Sequence, residues 1–280
     1  MLTDTHCHLD LKQFDEDRDA VIQRAVDSGV GRLLVPGLNL ESSRAAVKLA
    51  ETNDRIGAAV GFHPTDIEKM TLESYEDLRK LAKHAKVRAI GEIGLDDYWI
   101  KEPAKRLQQR QQLIPQLELA IEAGKPVILH LREENDAESG GATRDLFAIL
   151  EAWHKKLQRM NHPLSKHPGV FHSFNGDLES ARRAIGMNYL IGVAGSVTYK
   201  KSDTLRELVR VLPLDRLLIE TDAPFQTPVP HRGIRSARNE PVFLGHIADK
   251  IAELHHTSRE QVAEITTQNA NRLFGWEAHI

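Results

Sequence analysis

Cysteine is nearly absent from the 280-residue chain. Cys7 stands alone, so no intrachain disulfide can form and a disulfide-stapled secreted scaffold is excluded. The opening residues Met1-Leu2-Thr3-Asp4-Thr5-His6 turn polar at once and lack the basic and apolar regions of a secretory signal. Both absences point to a reducing, cytoplasmic setting. No stretch approaches the roughly 20 consecutive apolar residues of a membrane-spanning helix, which excludes the membrane as a partner. A cationic excess is missing too: 37 basic against 40 acidic residues leave a formal charge of -3, so any contact with a polyanion must be local. No obligate protein partner is evident. What is present, 41% apolar and 28% charged residues, sits close enough to globular averages to exclude collagen-like, low-complexity or wholly disordered chains.

Short β-branched or apolar runs alternate with longer amphipathic stretches along the whole chain, bounded by Gly, Pro, Asn and Asp. Eight strands are predicted, at 2–6, 32–36, 57–62, 87–92, 126–130, 169–173, 189–193 and 216–221. Helical patterns fall between them at 16–27, 41–51, 74–83, 103–123, 143–156, 178–185 and 203–211. Pro115 should bend the fourth helix, because proline removes a helix hydrogen bond and crowds the preceding turn. Two more helices follow the eighth strand: one around 242–254, and one opening at Thr257 or Ser258, where Glu260 or Gln261 can complete a capping box. Eight strand-helix units in this length fit a (β/α)8 TIM-type barrel, a single domain over residues 1–280. The rival doubly wound sheet carries a glycine-rich turn after its first strand; here that strand runs into His6-Cys7-His8.

Of the 14 histidines, His84, His154, His162, His167, His246, His255, His256 and His279 lie in polar or helical surroundings and read as solvated or capping imidazoles. His6, His8, His63, His130 and His172 differ. Each sits at or just past the C-terminal end of a predicted strand, as do Glu92 and Asp222, and in a barrel those ends converge on one mouth. His6 and His8, two apart, face the same side of their strand while Cys7 faces the other. His6, His8, His130 and His172 with Glu92 and Asp222 offer four nitrogen and two carboxylate ligands, more than one catalytic zinc takes. Two divalent ions fit better: His6, His8 and Asp222 on one, His130 and His172 on the other, Glu92 bridging. Such a pair, about 3.5 to 4 Å apart, clamps the attacking and leaving oxygens of a displacement and generates hydroxide at neutral pH. Mixed His and carboxylate ligation suits Zn, Mn or Co, and Mg less comfortably.

These residues stand in a recognisable order. Asp4-Thr5-His6-Cys7-His8-Leu9-Asp10, Gly61-Phe62-His63-Pro64, Gly91-Glu92-Ile93-Gly94-Leu95-Asp96, Pro126-Val127-Ile128-Leu129-His130, Phe171-His172-Ser173-Phe174 and Leu218-Ile219-Glu220-Thr221-Asp222-Ala223-Pro224 together resemble the TatD family of metal-dependent hydrolases. Asn269-Ala270-Asn271-Arg272-Leu273-Phe274 is similar to that family's C-terminal helix. The resemblance covers nearly the whole chain. It implies an amidohydrolase-like barrel, a divalent-metal centre on the positions named above, and deoxyribonuclease activity, often 3′-to-5′ exonucleolytic; some members are implicated in removing D-amino acids from tRNA. Two departures stand out. Leu131-Arg132-Glu133 keeps only the arginine of the family's Thr-Arg-Asp, and His172-Ser173-Phe174 replaces His-Cys-Phe, with Asn175 near the family's small serine or threonine. The acidic, Gly-containing stretch 133–141 lies beside the mouth, where its carboxylates are expected to repel a phosphate backbone.

The expected activity is hydrolysis of phosphodiester bonds in DNA, or another nucleic acid, by a metal-activated water, with Asp222 taking the water's proton and Glu92 beside it. An ester or amide hydrolase on the same metals, such as a D-aminoacyl-tRNA deacylase, differs only in its electrophile. A barrel that binds metal or nucleic acid without catalysis is disfavoured, because every expected ligand type is present. His63 and Arg132, outside the metal count, either hold a phosphate oxygen or developing charge or anchor loops. Asp4, Asp96 and Glu220 either orient ligating imidazoles or belong to a structural hydrogen-bond network. Cys7 reads as a packed side chain. His231, Arg232, Arg235 and Arg238 form a basic loop that either receives a nucleic-acid strand or is simply solvated. Tyr98, Trp99 and Phe174, in loops after strands four and six, either stack a base or pack within their loops.

Overall fold

The apolar runs form eight parallel strands in the computed structural model, which describes residues 1–233 and 238–276. The strands are β1 (Leu2–Asp4), β2 (Val30–Pro36), β3 (Ile56–Val60), β4 (Val87–Asp96), β5 (Val127–Arg132), β6 (Gly169–Phe171), β7 (Leu190–Val193) and β8 (Leu217–Ile219). Each is hydrogen-bonded in parallel to the next, in chain order. The connecting helices are α1 (Arg18–Asp27), α2 (Leu40–Thr52), α3 (Leu72–Leu81), α4 (Pro103–Ala123), α5 (Gly141–Arg159), α6 (Leu178–Gly186) and α7 (Asp203–Val211). Every residue of β2, β3 and β7 is buried, as strands covered on both faces must be. The result is the TIM-type barrel, with α8 (Leu244–His255) and α9 (Arg259–Phe274) after it.

Between β8 and β1 the barrel closes just past the strands. Thr5 N–H donates to Ile219 O (3.2 Å), Asp222 N–H to His6 O (2.8 Å) and His8 N–H to Ala223 O (2.7 Å), and Cys7 forms a parallel bridge with Ala223. The backbone that seals the barrel therefore carries His6, His8 and Asp222. The opposite end is plugged by α9. Asn269 Nδ2 donates to Leu214 O and Leu217 O (both 2.9 Å) where β8 begins. Ala270, Leu273, Phe274 and Trp276 pack against Leu34, Ala59, Ala89, Ile128 and Leu218 of the strands. Among the described residues, the C-terminal mouth is the end of the barrel that α9 leaves open.

Element boundaries depart from the sequence pattern where backbone turns into that mouth. Strands β1, β6 and β8 stop two residues short of the ranges predicted, so His6, His172 and Asp222 lie in the turns beyond. Ser173 (φ 44°) and Asp222 (φ 56°) adopt the left-handed region, which a strand cannot continue through and which clusters at functional sites. Strand β4 instead runs on to Asp96, pairing Ile93, Gly94, Leu95 and Asp96 with Leu129, His130, Leu131 and Arg132. Gly94 allows this: its φ is 150°, and a Cβ there would stand 1.9 Å from His130 O. Helix α3 starts at Leu72, two residues early, because Thr71 and Ser74 form a reciprocal capping box. Helix α9 opens after Ser258, whose side chain accepts from Gln261 N–H (3.1 Å). Helix α4 continues past Pro115 without a boundary.

Candidate metal centre

Glu92, buried within β4, is the hub of the mouth. Its Oε2 faces His6 Nε2 (3.2 Å) and His8 Nε2 (3.7 Å); its Oε1 faces His130 Nδ1 (2.8 Å), His63 Nε2 (3.4 Å) and His172 Nε2 (3.7 Å). Asp222 Oδ1 lies 3.6 Å from His8 Nε2 and 3.9 Å from both His6 Nε2 and His172 Nε2. Residues spread over more than two hundred positions thus meet, and the two oxygens of one carboxylate divide the imidazoles into two sets. The nitrogens of His6 and His8 are 3.1 Å apart. Two nitrogens that share one ion at about 2.0–2.1 Å stand about 3 Å apart, so this pair already has the spacing of co-ligands.

Neighbouring groups decide which nitrogen faces the hub. His130 has its Nε2 tied to Asp96 Oδ2 (2.9 Å), leaving Nδ1 toward Glu92. His172 is the reverse: Nδ1 donates to Glu220 Oε1 (2.9 Å), leaving Nε2 inward. Carboxylates holding the far nitrogen of a ligating imidazole are a general feature of metal sites, and Asp96 and Glu220 hold that position. Asp4 does not. It accepts from Thr221 Oγ1 (2.6 Å), Thr221 N–H (3.0 Å) and His6 N–H (3.2 Å), and so pins backbone across the barrel seam. Three groupings have ligand atoms within 4.8 Å of one another: His6–His8–Asp222, His6–His172–Glu220 and His63–Glu92–His130. Geometry ranks them. Glu220 Oε1 already accepts from His172 and from Ser173 N–H, and His63 Nδ1 accepts from Thr65 N–H (3.2 Å). His63 therefore carries its proton on Nε2 and meets Glu92 as a donor.

Charge makes the cluster fit a cation. Burial alone would raise the carboxyl groups, yet His63, His172 and His6 hold Glu92 well below the carboxylate range. Burial is likewise outweighed at Asp222, which His172 and His8 hold at about 2. Burial should also depress the imidazoles, but Asp96 and Glu92 push His130 up to about 9, and Glu220, Glu92 and Asp222 push His172 up to about 10. His130 and His172 thus keep protons against desolvation while burial lowers His6 and His63; ionised Glu92 and Asp222 among these imidazoles favour added positive charge, which divalent ions would supply.

Other expected residues fall on the rim or away from it. Arg132 stacks its guanidinium on Tyr98 (3.8 Å) and pairs with Asp136 (2.8 Å). The acidic stretch that should repel a phosphate backbone is largely neutralised. Glu133 Oε1 accepts from Thr143 N–H (2.6 Å), and Glu134 pairs with Arg106 (3.2 Å) and Lys101 (3.4 Å). In the basic loop, His231 stacks on Phe243 (4.0 Å), Arg232 lies over Tyr199 (3.7 Å) and Arg238 pairs with Asp17 (2.5 Å); Arg235 lies outside the described residues. Phe174 is buried and Cys7 fully so. Gln226 was not legible as a site residue. Its Nε2 donates to Asp222 Oδ2 (2.8 Å) and to Ser173 Oγ, but it sits in an aperiodic Pro-rich loop where no pattern singles it out. Gly192 is similar: a Cβ there would lie 2.8 Å from the Glu220 oxygens.

Known proteins share this architecture end to end. The family model for TatD related DNase matches residues 3–275. The chain is 40% identical over 274 residues to YabD of Bacillus subtilis, an uncharacterised metal-dependent hydrolase, covering 98% of this chain and 99% of that one. It is 35% identical over 278 residues to a protein of Pantoea ananatis named 3′-5′ ssDNA/RNA exonuclease TatD, covering 97% and 98%. The crystal structure of YjjV, a TatD homologue from Escherichia coli K12, superposes with a TM-score of 0.83 at 33% identity over 99% of this chain and 98% of that one. With a match from the first strand to the last helix, the chain belongs to the TatD family of metal-dependent hydrolases.

Proposed function

We propose that this protein hydrolyses phosphodiester bonds in DNA or a related nucleic acid on a two-ion centre, with His6, His8 and Asp222 on one ion, His130 and His172 on the other and Glu92 between them. The observation that carries the reading is the division of Glu92: Oε2 addresses His6 and His8, and Oε1 addresses His130 and His172, with His63 as a further donor to Oε1. The Pantoea relative, named as a ssDNA/RNA exonuclease, supports the substrate class. A cytoplasmic location belongs to the same proposal and rests on the lone, free, buried Cys7. Among the described residues no helix is long and apolar enough to cross a membrane.

Divalent ions held there would acidify water and withdraw charge from the phosphoryl group. The protein's own residues do the rest. Asp222, ionised and turned by the Gln226 amide on Oδ2, keeps Oδ1 toward the imidazoles and is placed to take the proton of the attacking water. Glu92 is held ionised by the imidazoles around it. His63, neutral with Nε2–H pointing at the hub, is a donor for a phosphate oxygen as charge develops. Arg132, its guanidinium already oriented by Tyr98 and Asp136, is the rim cation for a neighbouring phosphate.

The test is cleavage of single-stranded and duplex DNA, and of an acylated tRNA, by purified protein in chelator and after adding back Zn or Mn. DNA cleavage that stops in chelator and returns with metal is expected. Full activity in excess chelator contradicts the mechanism, and turnover of the acylated tRNA alone would replace the phosphodiester with an ester.

A further inference from the structure

Of the chain's 3 Trp, 4 Tyr and 8 Phe residues, only Trp99 (65%) and Phe225 (48%) are exposed. Both lie at the mouth, in the loops that follow β4 and β8. In a ring of eight strands in chain order, the fourth and eighth are diametrically opposed, so the two rings stand on facing rims with the candidate centre between them. Large apolar rings are usually buried, and here the other Trp residues, Trp153 (4%) and Trp276 (8%), are.

The backbone that carries each ring is tied to the centre by a short chain of bonds. Trp99 N–H donates to Asp96 Oδ1 (2.7 Å), and the other oxygen of the same carboxylate meets His130 Nε2 (2.9 Å). Gln109, buried, clamps Asp96 from both backbone sides, accepting from its N–H (2.7 Å) and donating to its carbonyl (3.0 Å). On the far rim, Phe225 N–H donates to Asp222 O (2.8 Å), Asn239 Nδ2 donates to Phe225 O (2.6 Å), and the Phe225 ring meets His8 edge-on at 5.9 Å. The Arg132 guanidinium lies 5.6 Å from the Trp99 ring. Exposed rings on anchored backbone, Phe225 bonded directly to Asp222 and Trp99 joined to His130 through Asp96 with Arg132 beside it, make the arrangement of a stacking surface rather than of loose loop packing.

We propose that Trp99 and Phe225 are paired stacking surfaces for two bases of a single-stranded nucleic acid that crosses the mouth, one base on either side of the phosphate at the centre. The assignment rests on the nuclease reading above and adds to it which side chains select a free strand. Bases inside a duplex have both faces occupied by neighbours, so only an unpaired strand can offer its faces to two rings mounted on opposite rims.

The probe is a cleavage-resistant phosphorothioate hexathymidylate, with an abasic hexamer of the same backbone as control, titrated into Zn-loaded full-length protein. Binding is read by tryptophan fluorescence and by anisotropy of a labelled strand. Trp99 is the exposed reporter, so the hexathymidylate should quench and the abasic strand should not. Trp99→Ala and Phe225→Ala should each weaken hexathymidylate binding about 5- to 150-fold and leave abasic binding unchanged. Trp99→Phe and Phe225→Trp should restore it, and metal content and melting temperature confirm that each variant is folded and loaded. Parent affinity in either alanine variant, or equal losses with both strands, overturns the stacking assignment while leaving the nuclease reading standing. A parent protein that neither binds nor cleaves any oligonucleotide overturns both.

Discussion

Replacing Glu220 by Gln should loosen metal binding while leaving the barrel folded. The carboxylate is fully buried and takes three donors: His172 Nδ1 (2.9 Å) and Ser173 N–H on Oε1, and Thr5 Oγ1 (3.2 Å) on Oε2. Glutamine has the same shape. With its oxygen at the Oε1 position it keeps the two donors there, and its NH2 meets a Thr5 hydroxyl that can turn to accept. What disappears is the charge. A hydrogen bond to a charged group is worth about 1.5–3 kcal/mol and a neutral one about 0.5–1.5, so the hold on His172 weakens by about 1–1.5 kcal/mol. Loss of such an orienting carboxylate typically costs 10- to 100-fold in metal affinity or activity, or about 1.4–2.7 kcal/mol. The two routes meet near tenfold. Competition against a calibrated chelator, following release of the metal that His172 is proposed to hold, should show that loss, and activity should return at proportionally higher metal. Gly192→Ala, whose new Cβ would press on the same carboxylate at 2.8 Å, should shift affinity in the same direction. Parent metal affinity and parent turnover in Glu220→Gln would refute the claim that this carboxylate orients a ligand.

Asp222→Asn keeps an oxygen toward His8 but loses the charge and the proton acceptor, so turnover at saturating metal should fall at least about 10²-fold while the metal-loaded melting temperature moves little. A variant that is markedly less stable yet nearly as active per folded molecule would place the proton acceptor elsewhere. Lys125, whose Nζ reaches His84 O (3.1 Å) and Val87 O (2.5 Å), is pushed down by burial from its ordinary 10.5 to about 8. Between those values the unfolded chain holds more protons than the folded one, so this residue's contribution to stability rises with pH from about 8 to about 10.5. Urea unfolding of the parent and Lys125→Met at pH 7, 8.5 and 10 should show the difference moving in the parent's favour; a constant difference would contradict the shift.

Much of this architecture is legible in the residues because the alternation of apolar runs and amphipathic stretches survives folding. Polar residues at the ends of those runs, His6, His8, Glu92, His130, His172 and Asp222, had to converge once eight units closed a ring. Boundaries were less readable. Strands β1, β6 and β8 stop early because Ser173 and Asp222 take left-handed backbone and because amides near His6 and Asp222 bond across the seam, neither of which leaves a periodic trace. Charge on the 133–141 stretch reads as repulsive from composition, yet the adjoining Arg132 pairs with Asp136, and Arg106 and Lys101, 28 and 33 residues before Glu134, pair with it. Trp99 and Phe174 looked alike as loop aromatics; only packing separates the exposed ring from the buried one. Gln226 and Phe225 sit in a loop tied to Asn239, which donates to Thr221 O and Phe225 O, 18 and 14 residues away in sequence.

Glu92 is proposed to stand between two ions. Anomalous scattering from crystals of the metal-loaded protein, collected at the absorption edge of the added metal, tests it directly. Two peaks about 3.5 to 4 Å apart are expected, one within ligand distance of His6, His8 and Asp222 and the other of His130 and His172, with one Glu92 oxygen toward each. A single fully occupied peak at saturating metal, or two peaks that both leave Glu92 beyond ligand distance, would contradict it.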